Sequence, residues 1–377
     1  MGKLIETEKL ACLAQRLPIE FHSVTHASKV GEFKLVEGHM RILLRLDPGF
    51  ESLTTVSASE PLLSEAAYSM MYPDATFKAA ETLKSCLAGY AIHKGDRGEL
   101  LVMLLFILAR DYAIGPPNGY GRPEMNRRWC FVLSFMNALF KFEHPLDLKA
   151  FADSKIFFNH WVKVHQQVMV NVKYLGQLMC RGAALLCGTN QAGIDGIIPF
   201  LLKGDIISLK NIGAIVFQVK NDKKYQKTPK PKLFEAMDPY SLGILKQGDK
   251  IPIIRIVFAL ASKTPCLIPV KCKEDFESYD FWVGGISPTV FLPVGDYDES
   301  IWTALLQASY GWEDLYKIDS DSNLMRGLRR SMNPGTTENK HHWENWADFT
   351  AMDNSDDEEE EEEDEEEDEE EDDGLDE

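Results

Sequence analysis

The chain has 377 residues, of which 45% are hydrophobic, enough to bury a large core in one elaborated domain or two. Its net charge of -19 is concentrated in residues 353–377, which carry 21 of the 59 acidic residues and no Lys or Arg, so the folded body is almost neutral. The seven cysteines are an odd number without a Cys-x-x-Cys pair. This argues against a disulfide framework and against zinc, and predicts an intracellular protein of the nucleus or cytoplasm.

The N-terminal region, residues 1–95, is predicted to mix strands and helices. Alternating apolar residues give candidate strands at 33–37 and 40–44. A proline and an aspartate stand where two helical patterns begin, which predicts helices over 62–71 and 74–92. We therefore expect an α+β region that carries little chemistry of its own.

A long apolar helix is predicted next. Asp96 and Glu99 have the spacing of a capping box and would open a helix over residues 100–112. Its apolar run is too short to span a bilayer, so it predicts a buried helix and no membrane partner. Further helical patterns fill residues 115–181, which we interpret as a helical insert.

The pattern changes after Gly182, where short apolar runs of the kind buried in a sheet core replace the helical periodicity. With the preceding helix they predict the order helix, strand, strand, strand, helix, strand, and an α+β or α/β fold. The predicted strands are 183–187, 194–201, 212–219, 251–260 and 279–283, and the predicted helices are 238–245 and 299–309.

Polar residues of catalytic type stand at the ends of two predicted strands. Asp195 opens the second strand, and Gln218 and Lys220 close the third as a Gln-x-Lys triplet. Asp is common at turns, where it bonds its own backbone, but isoleucines surround Asp195 and an unpaired buried carboxylate is costly. We therefore expect a metal ion or a lysine beside it. Lys220 also has an ordinary interpretation, as the first solvated residue after the strand.

This order of elements and polar residues resembles the PD-(D/E)XK nuclease superfamily, whose core is αβββαβ. The family pattern is an acid on the first helix, an Asp at the start of the second strand and Glu-x-Lys at the end of the third. Over roughly residues 96–262, Glu99, Asp195 and Gln218-Val219-Lys220 occupy those positions. The Gln-x-Lys form is similar to that of Mrr-type restriction nucleases and of the endonuclease subunit of heteromeric bacterial transposases. The wider sequence also resembles a group of uncharacterised fungal proteins that we associate with mobile elements.

The resemblance implies metal-dependent hydrolysis of phosphodiester bonds, with DNA as the expected substrate. A hard divalent ion held by oxygen ligands provides a nucleophile and neutralises charge on the phosphate. Mg²⁺ or Mn²⁺ would be held by Asp195, Glu99, the Gln218 side-chain oxygen and the Val219 carbonyl. Lys220 would orient the attacking water or help to deprotonate it.

The acid from the helix has alternatives. Glu99 also fits an ordinary capping role, because it follows Asp96 by three residues. Roughly 70 residues separate it from the first strand, which is longer than a minimal core requires. Glu143, Asp147 and Asp153 are therefore open as substitutes.

A basic loop follows the proposed catalytic lysine. It could hold nucleic-acid phosphates beside the site, with an affinity that falls with salt, or it could be a solvated loop or nuclear-import patch. Its lysines are Lys223, Lys224, Lys227, Lys230 and Lys232.

The predicted organisation places a nuclease-like domain at 96–316, a flexible linker at 317–352 and a disordered acidic tail at 353–377. Twenty-one like charges in 25 residues cannot form a core. The alternative function is that of a catalytically inactive interaction protein, whose acidic tail binds basic nuclear partners such as histones.

Overall fold

A computed structural model describes most of the first 307 residues, and these residues mix helices with sheet, which confirms an α+β class. They belong to one compact unit formed by residues 1–308. The predicted linker and acidic tail lie outside the described residues, as do Asp74, Glu143 and Asp147. The described ranges are 4–23, 26–72, 77–87, 94–115, 128–142, 148–164, 170–188, 193–271 and 275–307.

The described residues form nine α-helices and twelve strands. The helices are α1 (Glu6–Arg16), α2 (His26–Glu37), α3 (Pro61–Met71), α4 (Ala79–Leu87), α5 (Lys94–Ile114), α6 (Val132–Leu139), α7 (Val172–Arg181), α8 (Pro231–Glu235) and α9 (Glu299–Gln307). The strands are β1 (Phe21–Ser23), β2 (Ile42–Leu46), β3 (Leu53–Val56), β4 (Cys130–Phe131), β5 (Lys155–Ile156), β6 (His160–Lys163), β7 (Ala183–Leu186), β8 (Gly196–Leu201), β9 (Ile212–Lys220), β10 (Ile253–Ala259), β11 (Cys266–Val270) and β12 (Ser278–Gly284).

These strands form a small sheet, β1-β3-β2, and a large mixed sheet. In the large sheet β7, β8 and β9 are successive antiparallel neighbours, β10 lies parallel to β9, and β12 lies parallel to β10. Strand β6 pairs with β7 in parallel on the other side. Consequently β6, β7, β9, β10 and β12 all end at the same edge of the sheet, where ligands commonly bind in open α/β folds.

The large sheet is buried on both faces, which explains why its central strands are continuous apolar runs. Helix α5 covers one face, where Phe106 packs edge-on against Phe217 and Phe258 with ring centroids 5.1 and 5.6 Å apart. Helix α7 and the segment after β9 cover the other face. No helix in the described ranges is long and apolar enough to cross a membrane.

Several predicted elements differ from the structure. The segment predicted as helix before residue 172 contains β5 and β6, because strands of two to four residues are too short to show a period. Residues 26–37 are helical, not a strand at 33–37. Helix α5 begins at Lys94, so Asp96 lies in its first turn and cannot cap it. The predicted helix at 238–245 is a series of turns, and β11 was not predicted.

Buried ion pairs join the N-terminal helices to the helix that covers the sheet. The Arg16 guanidinium donates to both carboxylate oxygens of Asp111, at 2.5 and 2.6 Å, and its Nε donates to the Asn159 carbonyl. Arg110 pairs with Glu65 at 2.7 Å. Because these charges are buried away from water, each needs its partner, so the pairs fix α1 and α3 against α5 and the start of β6.

His160 is a buried histidine on β6 whose titration should make stability depend on pH. Its Nε2 lies 2.9 Å from the Ser59 hydroxyl and its Nδ1 lies 2.6 Å from Asn159 Oδ1, which fits a neutral ring. Burial, followed by the positive charges of Arg181 and Arg16, lowers the pKa of His160 from 6.5 to about 4. His160 is therefore packed within the fold.

We expect the free energy of unfolding to fall as the pH drops from 6.5 towards 4. In that window the unfolded chain binds a proton that folded His160 does not, and the full shift corresponds to about 3 kcal/mol. Urea unfolding at pH 7 and pH 5 measures the change in the free energy of unfolding for the parent, for His160→Asn and for His39→Asn. His39 is exposed, so His39→Asn is the control. The pH effect should weaken only in His160→Asn; equal pH effects in all three chains would contradict this origin.

Candidate functional site

The start of β8 and the end of β9 bring two predicted site residues together. Gly196 pairs with Phe217 in the antiparallel ladder, and the Asp195 amide also donates to the Phe217 carbonyl, at 2.9 Å. Asp195 and Gln218 therefore lie beside one another across the two strands. This is the edge at which the parallel strands end.

Backbone contacts hold Asp195 on both sides. Its carbonyl accepts from the Cys187 amide at 2.8 Å, and its carboxylate Oδ2 accepts from the Val219 amide at 2.5 Å. The N–H and C=O of a strand residue point to the same side, so the Val219 carbonyl also faces Asp195. Among the described residues, Oδ1 has no hydrogen-bond donor and is available to a ligand.

The Gln218 side chain carries an unsatisfied acceptor. It is 8% exposed, and its Oε1 has no hydrogen-bond partner among the described residues. A buried carbonyl oxygen without a donor costs about 1–3 kcal/mol, which a bound cation would offset. Gln218 therefore offers a buried, unsatisfied acceptor at this edge of the sheet.

Helix α5 brings Glu99 to the same edge. Glu99 lies in the second turn of the helix, so the capping interpretation is wrong. The preceding residue, Gly98, permits a close approach: a Cβ there would lie 2.9 Å from Val219 Cγ1 and 3.3 Å from Asn221 Cβ. The helix thus packs directly on the end of β9.

The two carboxylates repel each other in a partly desolvated setting. Burial raises the pKa of Asp195 to about 6, opposed by the Val219 amide and by Lys220. Burial also raises the pKa of Glu99 to about 7, and the charges of Asp195 and Asp96 raise it further, against Lys163. Positive charge placed between these carboxylates would stabilise both anions.

Lys220 and the lysine loop occupy one side of this site. The Lys220 ammonium lies 5.7 Å from the centre of the Tyr225 ring, and the Lys224 ammonium lies 5.8 Å from it. The loop is tied to the sheet, because Trp282 Nε1 donates to the Gln226 carbonyl at 2.8 Å. The other four predicted phosphate-binding lysines, Lys223, Lys227, Lys230 and Lys232, are exposed.

Asp153 does not belong to the site. It lies just before β5, whose Lys155 pairs with Leu201 at the far end of β8 from Asp195. Of the alternatives to Glu99, it alone lies within the described residues.

Two nearby side chains gave no signal in the sequence. Cys187 is buried, and burial followed by the negative charges of Asp195 and Glu99 raises the pKa of its thiol to about 12, so it stays protonated and unreactive. Lys163 ends β6 with an exposed side chain and lies close enough to Glu99 to lower its pKa. Only the strand pairing brings them here, because the four residues of β6 are too few to show an alternation in the sequence.

The donor set fits a magnesium-like ion better than a soft metal. Within the described ranges, no three His, Cys, Asp or Glu side chains are grouped closely enough to hold a metal. Two carboxylates, an amide oxygen and a backbone carbonyl remain, all of them hard donors. Mg²⁺ needs few protein ligands because it keeps several waters.

Gly193 should be required for the shape of the loop that carries Asp195. Its φ is +87°, and a Cβ there would collide with the Ala236 carbonyl oxygen just after α8. Gly193→Ala should lower the free energy of unfolding by about 2 kcal/mol or more, because strain and overlap add. Gly204→Ala is the matched control, with a φ of +72° and no atom within 4 Å of the added carbon. Equal losses on urea unfolding would contradict the packing argument.

Comparison with known proteins gives a family and nothing beyond it. Residues 7–239 match the family model described as Domain of unknown function (DUF8736), which covers more than half of the chain, so the chain belongs to that family. No curated protein and no solved structure matches it. The matched range includes Glu99, Asp195, Gln218 and Lys220.

Proposed function

We propose that this DUF8736 protein is a metal-dependent nuclease that hydrolyses phosphodiester bonds, with DNA as its substrate. The observation that carries the proposal is the meeting of four side chains at one sheet edge: Asp195, the unsatisfied Gln218 oxygen, Glu99 and Lys220. Two mutually repelling carboxylates beside a buried acceptor form a site for a cation.

The connectivity also supports the proposal. Helix α5 is followed, after an insert that contains β4, α6, β5, β6 and α7, by the antiparallel strands β7, β8 and β9, the helix α8 and the parallel strand β10. This arrangement is similar to the αβββαβ core of PD-(D/E)XK nucleases, and Asp195 and the Gln-x-Lys triplet stand at the strand ends that the family uses.

The residues that would hold Mg²⁺ or Mn²⁺ are Asp195, Glu99, the Gln218 Oε1 and the Val219 carbonyl. A bound divalent ion lowers the pKa of a coordinated water and stabilises charge on the phosphate. The protein would position the ion: the Val219 amide donates to one carboxylate oxygen of Asp195, and the other carboxylate oxygen is left for the cation.

Lys220 would act on the phosphate and on the attacking water. Its ammonium can donate to a non-bridging phosphate oxygen or orient the attacking water. As the water forms its bond to phosphorus and loses a proton to solvent, the bond to the leaving sugar oxygen breaks and that oxygen takes up a proton. The exposed lysines of the following loop would bind neighbouring phosphates, with an affinity that decreases as salt increases.

Cleavage of supercoiled plasmid DNA tests the function. The purified protein should nick or linearise the plasmid with Mg²⁺ or Mn²⁺, and excess EDTA should stop the reaction. A protein with no cleavage of DNA or RNA under any divalent ion, at concentrations where it binds the nucleic acid, would refute the proposal.

A second function rests on the tail and is independent of the site. With 21 acidic residues, 353–377 would bind a basic protein surface through charge, as with histones. Histone octamers should bind the parent and Asp195→Asn alike, and a chain lacking 353–377 should bind much more weakly. Equal binding by the truncated chain would exclude the tail as the docking segment.

A further inference from the structure

A second lysine lies across the strand ends from Lys220. In the large sheet, Lys163 of β6 pairs with Leu186 of β7, Leu186 pairs with Gly196 of β8, and Gly196 pairs with Phe217 of β9. These four residues form one row across four strands. Asp195 immediately precedes Gly196, so Lys163 and Lys220 approach the carboxylates from opposite sides.

Strand spacing places Lys163 within reach of a substrate at the site, on the α5 face of the sheet, whereas Asp195, Gln218 and Lys220 alternate to the other face. Strands are about 4.8 Å apart, so Lys163 is roughly 10 Å from the strand that Asp195 opens, a distance that a lysine side chain and a phosphate can span. Paired residues share a face, so Lys163 lies on the face of Leu186, beneath helix α5, which carries Glu99. The electrostatic effect of Lys163 on Glu99 agrees with this placement.

No contact among the described residues occupies the Lys163 ammonium. Its side chain is exposed, and within the described residues it forms no ion pair and no hydrogen bond. An exposed lysine held at the end of a buried strand keeps its charge and its hydrogen-bond donors available to a ligand.

We propose that Lys163 binds a backbone phosphate of the nucleic-acid substrate on the far side of the carboxylates from Lys220. The substrate backbone then crosses the strand ends from β6 to the loop after β9. This inference rests on the proposed nuclease function and adds the path of the substrate through the site.

DNA binding in EDTA separates this proposal from catalysis. The dissociation constant of a labelled DNA duplex is measured against salt for the parent, Lys163→Gln, Lys163→Arg and Lys250→Gln. Lys250 is exposed and precedes β10, at the opposite end of the sheet, so it is the matched control. Thermal melting of each variant confirms folding.

Loss of one phosphate contact predicts weaker binding in Lys163→Gln and a salt slope that is smaller by about 0.9. Lys163→Arg should keep the DNA affinity and the salt slope near the parent values, because it retains the charge. Lys250→Gln should match the parent in both quantities. An unchanged affinity and slope in Lys163→Gln would overturn the role of Lys163 while leaving the nuclease proposal intact. Absence of DNA binding by the parent in EDTA would also overturn the role of Lys163, whereas the nuclease proposal is tested separately by plasmid cleavage with Mg²⁺ or Mn²⁺.

Discussion

Replacement of Asp195 by Asn is expected to lower the rate of magnesium-dependent plasmid cleavage by roughly 10²–10³-fold, with the fold preserved. The amide oxygen of Asn can still accept from the Val219 amide, so the end of the ladder keeps its hydrogen bond. What the substitution removes is the negative charge that would bind the cation. Single-turnover cleavage rates at saturating protein measure this loss.

Asp153→Asn provides the matched control for that substitution. It changes the same residue type at the opposite end of the sheet, and Asp153 was an alternative for the catalytic acid. Its cleavage rate should equal that of the parent. If Asp195→Asn cleaves as fast as Asp153→Asn, Asp195 has no catalytic role.

The second large effect is on stability. Asp280→Ala should lower the free energy of unfolding by about 3–5 kcal/mol, because it leaves the fully buried Arg255 without its carboxylate. Arg255 Nε and Nη2 donate to the two oxygens of Asp280, each at 2.7 Å, and Nη1 donates to the Phe234 carbonyl at 2.7 Å. The pair thus joins β10 and β12 to α8, which packs on the Gly193 turn.

An exposed ion pair supplies the comparison. Asp298 lies 3.3 Å from the Lys78 ammonium, and the two side chains are 33% and 52% exposed. Asp298→Ala should cost less than about 1 kcal/mol because water screens the pair. Urea unfolding of both variants measures the difference, and similar losses would contradict a buried, unscreened Arg255–Asp280 pair.

The central strands were predictable because burial on both faces of the sheet gives a recognisable apolar pattern in the sequence. Strands β8, β9 and β10 are buried along almost their whole length, so, apart from Arg255 in β10, they are nearly continuous apolar runs between polar turns. The same reasoning placed Asp195 and Gln218-Val219-Lys220 at strand ends. These residues meet only because β8 and β9 pair antiparallel in the observed register. A single sequence indicates that pairing only through the order of its elements.

The remaining features depend on long-range contacts. Strands β5 and β6 are too short to show a period, so their segment appeared helical and Lys163 was missed. The start of α5 was misplaced because Lys94-Gly95 resembles a helix terminus, but the helix begins at Lys94. The close packing of the helix on Val219, which Gly98 permits, is a long-range contact that the sequence does not show. The unsatisfied Gln218 oxygen is visible only once the side chain is buried.

Binding of Mn²⁺ without nucleic acid, measured by isothermal titration calorimetry, tests the cation site most directly. The site predicts one Mn²⁺ per parent chain, weaker binding by Gln218→Leu, and no binding at this site by Asp195→Asn. Asp153→Asn should bind as the parent does. Equal Mn²⁺ affinity in the parent and in Asp195→Asn, or no binding by the parent, would contradict a metal site at this sheet edge.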